Sequence, residues 1–260
     1  MIERLAIVGD GLIGRSVQLA WRRRHPSREV VAIDRDQDLA PVARADAVVL
    51  ATPVDAILEI LPRLAALAPN ARFITDTGST KHAIVLAAAE AGVTRFVPGH
   101  PMAGGTSTGP AEARADLFDG CPWFLLSGRA PADARDQARA FVETLGGEAV
   151  LLDDLGEDHD RLMAAISHLP QVVATALRAR IGEAVGANGL QYGGGGLRDT
   201  TRLAASQASV WAPVLASNAR ALAPLLRALA EDLERASHTL EDRGAIDRLF
   251  ARAHRFTFDP

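Results

Sequence analysis

The sequence predicts an α/β domain built on a parallel sheet, followed by an all-helical domain. Three observations carry this. Short β-branched runs alternate with helical stretches through the first half, strand signals stop after about Asp153, and apolar residues then recur at helical spacing to the end. Strands that alternate with helices favour a parallel sheet covered on both faces. The expected division assigns residues 1–153 to the first domain and 154–260 to the second.

The elements follow in chain order. Leu5 to Val8 is a short apolar strand that stops at Gly9, and Leu12 to Arg24 is a helix with Leu12, Val17, Leu19, Ala20 and Trp21 on its apolar side. Glu29 to Ile33 is a second strand ending at Asp34, and Ala47 to Leu50 a third, closed by Ala51-Thr52-Pro53. Arg72 to Thr75, Phe96 to Val97, Trp123 to Leu126 and Ala149 to Leu152 are further strands, with helices such as Ala56 to Leu67 and Thr80 to Ala91 between them. Beyond Asp153, Leu162, Ile166, Leu169, Val173, Leu177 and Ile181 share one helical stripe, and Leu222, Leu225, Leu226, Leu229 and Leu233 another. Pro170 lies within the first stripe, where it removes a helix hydrogen bond and clashes with the carbonyl of Ile166, so a kink is expected. Gly193 to Gly196 reads as a loop.

Composition narrows the function classes. The 260 residues carry 28 Lys or Arg and 32 Asp or Glu, a net charge of −4, which gives no basic surface for nucleic acid. Cys121 is alone, so neither an intrachain disulfide nor a thiolate metal cluster can form. His25, His82, His159, His238 and His254 show no ligand spacing with carboxylates, and no metal site is expected. The N-terminus lacks signal-peptide features and no apolar run reaches about 18 residues, so a cytoplasmic protein with no membrane span is expected. Lys81 is the only lysine, a skew that mostly reflects codon bias but leaves one ammonium in place.

Gly9-Asp10-Gly11-Leu12-Ile13-Gly14 fits G-x-G-x-x-G, follows a strand and opens a helix. Gly9 permits the tight turn, Gly11 admits a pyrophosphate to the backbone, and Gly14 lets helix and strand pack closely. The free N–H groups of the helix start, at Leu12 and Ile13, suit a phosphate. Asp34, 20 residues after Gly14, can accept hydrogen bonds from ribose hydroxyls and would repel a 2′-phosphate, so NAD is favoured over NADP, although Arg35 could meet such a phosphate. Only 11 residues separate Asp34 from Asp46, too few for a full helix and strand, so the usual third strand of a dinucleotide fold is expected to be lost or vestigial.

Two segments end strands at the carboxyl edge of the sheet, where ligands bind in such folds. One is Asp76-Thr77-Gly78-Ser79-Thr80-Lys81 and the other, in a sheet-edge loop, is Gly99-His100-Pro101-Met102-Ala103-Gly104. A neutral His100 can take a hydroxyl proton while the carbon loses hydride, and Ser79 can orient that imidazole or the substrate hydroxyl. The only tyrosine, Tyr192, is followed four residues later by Gly196, which excludes a Tyr-x-x-x-Lys dehydrogenase.

With these residues in view, nearly the whole chain resembles the prephenate/arogenate (cyclohexadienyl) dehydrogenases of tyrosine biosynthesis. The glycine motif, Asp76 to Lys81, His100-Pro101-Met102-Ala103-Gly104, Ser167-His168-Leu169-Pro170 and Gly194 to Arg202 resemble five family motifs in the correct order, with Trp211 following at the family's distance. The resemblance implies an NAD-dependent oxidative decarboxylation with His100 as proton acceptor and Ser79 beside it. Thr52, Pro53, Asp76, Thr77 and Gly78 would complete the cofactor site, and Arg202 would bind a substrate carboxylate through its planar fork. Trp211 would wall the pocket, with Gly195 in the substrate loop. Asp199 would cap a helix beginning at Thr200 or orient Arg202. The family also implies a homodimer through the helical domain.

Two positions depart from the pattern. Many prephenate-using members have histidine where this chain has Gln171, a neutral group that tilts the expectation toward arogenate, whose ammonium a nearby cation would disfavour. Thr106 stands where some members carry an acid linked to pocket gating, so gating of that kind is not expected. His168 is expected to be structural, bonding a backbone carbonyl freed by the Pro170 kink. No chorismate mutase or regulatory segment flanks these residues, and control through a separate domain is not expected. Two other readings are open: another two-domain NAD(P) dehydrogenase of a small hydroxy or imino acid, and a non-catalytic NAD-binding sensor.

Overall fold

The strands of the first half are too short and too apolar to face water, so each must be covered on both sides. The computed structural model describes residues 1–34, 37–104 and 109–256. β1 (Arg4–Val8) leads through a glycine turn into α1 (Leu12–Arg24). β2 (Glu29–Ile33), β3 (Ala47–Leu50), α2 (Val54–Leu67), β4 (Phe73–Asp76), α3 (His82–Glu90) and β5 (Phe96–Val97) follow. The five strands form one parallel sheet in the order β2-β1-β3-β4-β5. Side chains alternate across it. Leu5, Ile7, Val49 and Phe73 join Trp21 and Phe141 in one core, while Ala6, Val8, Val48, Leu50 and Ile74 join Ile57, Leu61 and Ile84 in the other. Between β2 and β3 a 3-10 turn at Ala40–Arg44 replaces a helix and strand, which leaves β2 at the sheet edge.

The later strands do not extend that sheet. β6 (Gly99–Pro101), β7 (Pro122–Leu126) and β8 (Glu148–Leu152) form a second sheet, with β6 antiparallel to β7 and α4 (Ala132–Leu145) crossing between β7 and β8. Pro98 separates β5 from β6. It has no N–H to offer a ladder, but its carbonyl accepts the N–H of Leu126 at 2.9 Å. The single parallel sheet expected from the sequence is thus two sheets, and His100 stands on a strand rather than in a loop.

The second half is helical: α5 (Glu157–Met163), α6 (Leu169–Leu190), α7 (Gly195–Thr201), α8 (Ala208–Ser217), α9 (Ala219–His238) and α10 (Arg243–Ala253). A π-helical turn, Ala164–His168, joins α5 to α6. This is the form the Pro170 kink takes, because a widened turn makes room for a ring that an α turn would press against the carbonyl of Ile166. α6 breaks again at Gly186, whose φ of 65° and ψ of 177° belong to glycine. Gly195 and Gly196 open α7, so the glycine loop is shorter than expected. The stripe of Leu162, Ile166 and Leu177 faces outward, with Ile166 54% exposed, while Met163, Ala164, His168, Gln171 and Ala174 face inward. Among the described residues no helix is long and apolar enough to cross a membrane.

Candidate active site

The glycine turn is built by close contacts. Gly9 has φ 107° and donates its N–H to the Ile33 carbonyl at 2.8 Å. A Cβ on Gly9 would stand 2.5 Å from the Ala51 carbonyl oxygen, and one on Gly14 only 1.9 Å from that of Gly9. Among the described residues, a Cβ on Gly11 would meet nothing within 4 Å. Gly11 is also the N-cap of α1, so no side chain caps this end, and no acid occupies its first turn. The free N–H groups and positive end of α1 therefore face space that suits a phosphate. Leu12 and Ile13 pack back onto the core. The Thr52 hydroxyl, next to Gly9, is buried with no hydrogen-bond partner among the described residues, and the exposed Pro53 is the residue before α2. Asp34 is exposed at the end of β2, its N–H donated to Gln37 Oε1 at 3.0 Å. These residues fit a dinucleotide. Arg35 and Thr106 lie outside the described residues.

At the end of β4, Asp76 is fully buried. It accepts the N–H groups of Gly78 at 2.7 Å and Gly99 at 3.2 Å and is ion-paired with Lys81, which is also fully buried. Lys81 Nζ donates to the Gly99 carbonyl as well, at 2.7 Å. Burial pushes the Asp76 carboxyl up and the Lys81 ammonium down, and each charge opposes the shift of the other. A Cβ on Gly78 would lie 2.9 Å from Ile84 Cδ1 and 3.0 Å from Asp76 Oδ1, so a larger residue here would press on this pair. Thr77 continues the edge, its N–H bonded to the Leu50 carbonyl at 3.0 Å. The lone lysine thus ties the end of β4 to the start of β6.

One residue on, His100 is buried opposite Phe124. Its Nδ1 lies 3.0 Å from His159 Nε2, and His159 Nδ1 lies 2.9 Å from Asp160 Oδ1. Asp160 accepts the backbone N–H groups of Lys81 at 2.7 Å and His82 at 2.9 Å, so α5 caps the start of α3 from outside. The Asp160 carbonyl takes Asn218 Nδ2 at 2.7 Å, and that nitrogen lies 3.0 Å from His168 Nδ1. His168 meets Trp211 edge-on, ring centroids 6.0 Å apart. Its partner is a side chain, not the backbone carbonyl expected, because α8 and α9 bring Asn218 to the inner face of the π turn. Burial holds His100 well below the ordinary imidazole range, with His159, Lys81 and His168 adding to the effect, and burial lowers His168 to about 4. Both rings are neutral at pH 7.

Sequence reading missed His159. Its contact lies 59 positions from His100, and only the adjacent acid, Asp160, could have signalled it. The half-buried Ser79 makes no hydrogen bond to His100 among the described residues; the contact that orients Nδ1 comes from His159.

The substrate residues expected on the helical half form a second group. Gln171 is buried on α6, its Nε2 bonded to the Leu203 carbonyl at 2.9 Å and to Thr175 Oγ1 at 3.2 Å, while Ser206 Oγ donates to its Oε1 at 3.4 Å. It thereby anchors the 3-10 turn Arg202–Ala205, at whose start Arg202 is exposed. Gly195 is exposed in the first turn of α7, and Trp211 is half-buried on α8. Asp199 lies inside α7, which starts four residues before it, so it does not cap a helix at Thr200.

Two family models match this chain: "Prephenate dehydrogenase, nucleotide-binding domain" over residues 12–151 and "Prephenate dehydrogenase, dimerization domain" over residues 156–253. The chain is 32% identical over 242 residues to a prephenate dehydrogenase of Bacillus subtilis (strain 168), covering 84% of this chain and spanning 65% of that relative's length. It is 31% identical over 261 residues to a cyclohexadienyl dehydrogenase of Zymomonas mobilis, covering 90% and 87% of the two chains. Among solved structures it is similar to Synechocystis arogenate dehydrogenase, with 27% identity, a TM-score of 0.78 and coverage of 96% and 97%.

Proposed function

The chain belongs to the prephenate dehydrogenase family, and from that premise we propose that it catalyses the NAD-dependent oxidative decarboxylation of a cyclohexadienyl acid, arogenate or prephenate, with preference for arogenate. The observation that carries this reading is His100, a buried imidazole held neutral at the carboxyl end of the strands, one residue from the Asp76–Lys81 pair. NAD⁺, when bound, supplies the hydride acceptor. Gly9, Gly11 and Gly14, with the N–H groups that open α1, hold its pyrophosphate, and Asp34 takes the ribose hydroxyls and disfavours a 2′-phosphate. Thr52, Pro53 and the segment Asp76 to Gly78 complete its surroundings.

His100 accepts the proton of the substrate's C4 hydroxyl at Nε2, because Nδ1 is engaged by His159. Hydride leaves C4, which becomes a carbonyl; the C1–carboxylate bond breaks as CO₂ departs, its electron pair shifts through the ring to that oxygen, and the oxygen takes the proton back from His100 to give the phenol. Aromatisation drives the step, so the residues mainly position the groups. Ser79 serves the hydroxyl. Arg202 pairs with a carboxylate, held in place by the grip of Gln171 on Leu203. Trp211, Gly195 and Asp199 shape the pocket. A neutral Gln171 leaves the arogenate ammonium unopposed, and this supports the preference. We place the domain division at 153/154, with a homodimer formed through the helical half.

The test is NADH or NADPH formation with prephenate and arogenate in parallel, each with NAD⁺ and NADP⁺. Turnover with arogenate and NAD⁺ is expected to dominate. Nucleotide binding without turnover of either acid rejects the proposal. Gln171→His should move the ratio of kcat/KM toward prephenate, and an unchanged ratio removes Gln171 from the preference.

A further inference from the structure

Resting on the reading of His100 as proton acceptor, we infer that His159 and Asp160 are positioning residues that set the tautomer and orientation of His100 through a one-way hydrogen-bond chain. The direction follows from the donors. Asp160 Oδ1 receives the N–H of Lys81 at 2.7 Å and Oδ2 that of His82 at 2.9 Å. Backbone N–H groups only donate, and one on each oxygen favours the carboxylate form, which accepts and does not donate. His159 Nδ1, 2.9 Å from Oδ1, must therefore carry the hydrogen of that contact. A neutral ring protonated at Nδ1 has a bare Nε2. The hydrogen in the 3.0 Å contact between the rings then belongs to His100 Nδ1. This leaves His100 Nε2 bare, which is the form that accepts a proton. The other tautomer of His100 would set two lone pairs against each other.

The chain is held at every link. His159 is fully buried, its own N–H is bonded to Asp154 Oδ2 at 2.8 Å, and it meets the Phe124 ring edge-on. Asp160 is fixed by the start of α3 on one side and by Asn218 on the other. When His100 takes a second proton, its Nδ1–H bond to His159 becomes charge-assisted, and the Asp160 carboxylate lies behind it.

The test uses the full chain. In a long-range ¹H–¹⁵N spectrum, His100, assigned by its loss in His100→Asn, should show Nδ1 protonated and Nε2 bare. A wild-type His100 protonated at Nε2 overturns the inference without any variant of His159 having to fold. In kinetics, His159→Phe, which keeps a ring but no acceptor, should lower kcat by roughly tenfold to a hundredfold with little change in KM. His159→Gln, which restores an acceptor, should recover most of the loss. Wild-type kcat and an unshifted His100 spectrum in His159→Phe overturn the inference. His100→Asn in the same assay separates the two claims: if it retains full turnover, the reading of His100 has failed; if it alone loses turnover, only the positioning chain has.

Discussion

Lys81 is the only lysine in the chain and is 0% exposed, paired with Asp76 and bonded to Gly99. An arginine is longer and planar, and the site is fully buried. Lys81→Arg should cost roughly 1–3 kcal/mol through overpacking. Lys81→Met, which leaves a buried carboxyl with backbone donors alone, should cost about 3–5 kcal/mol. Urea denaturation measures both, and wild-type stability and kinetics in Lys81→Arg would reduce the lysine to a chance survivor. The imidazoles give a pH signature with a definite sign. His100 and His168 titrate below the ordinary value of 6.5 in the folded chain, His168 at about 4, so between those limits the unfolded chain binds more protons. Their contribution to stability is full above pH 6.5; that of His168 is lost as pH falls toward 4, and that of His100 as pH falls through its own lowered value. The acid limb of kcat/KM, which reports the free enzyme's base, should correspondingly lie below pH 6.5.

The β1–turn–α1 unit separates packing from binding within one motif. Gly14→Ala forces a Cβ against the Gly9 carbonyl and should lower stability by roughly 1–3 kcal/mol. Gly11→Ala meets no atom of the described residues and should leave the melting temperature unchanged while weakening NAD binding, as calorimetry would show. A Gly11→Ala chain with wild-type NAD affinity would contradict the phosphate site. This unit was legible in the sequence because its contacts are local and its glycines sit at fixed spacing. β6 was not. Gly99-His100-Pro101 is too short to show alternation, and its partner β7 lies more than 20 residues on. The cap of Asp160 on α3 spans 78 and 79 positions, so neither segment announces it. The π turn was half legible: Pro170 foretold a disturbance, and packing chose its form.

At the scale of the molecule, the apolar stripe of the helical half is largely an outer face. Leu162, Ile166 and Leu177 are exposed, and on α9 Leu233 is 63% exposed. Periodicity identifies an apolar stripe but not what covers it, which is why the direction of this face could not be read from sequence. A second copy would cover it, and sedimentation at micromolar concentration should give a dimer; a monomer would contradict this. The histidine site draws on both halves, since β6 supplies His100 while α5 supplies His159 and Asp160, which hold it. His100 is proposed to take the substrate's proton, and the kcat of His100→Asn beside its substrate dissociation constant measures this directly. A fall in kcat of roughly a hundredfold or more with binding nearly unchanged is predicted. An undiminished kcat would contradict it.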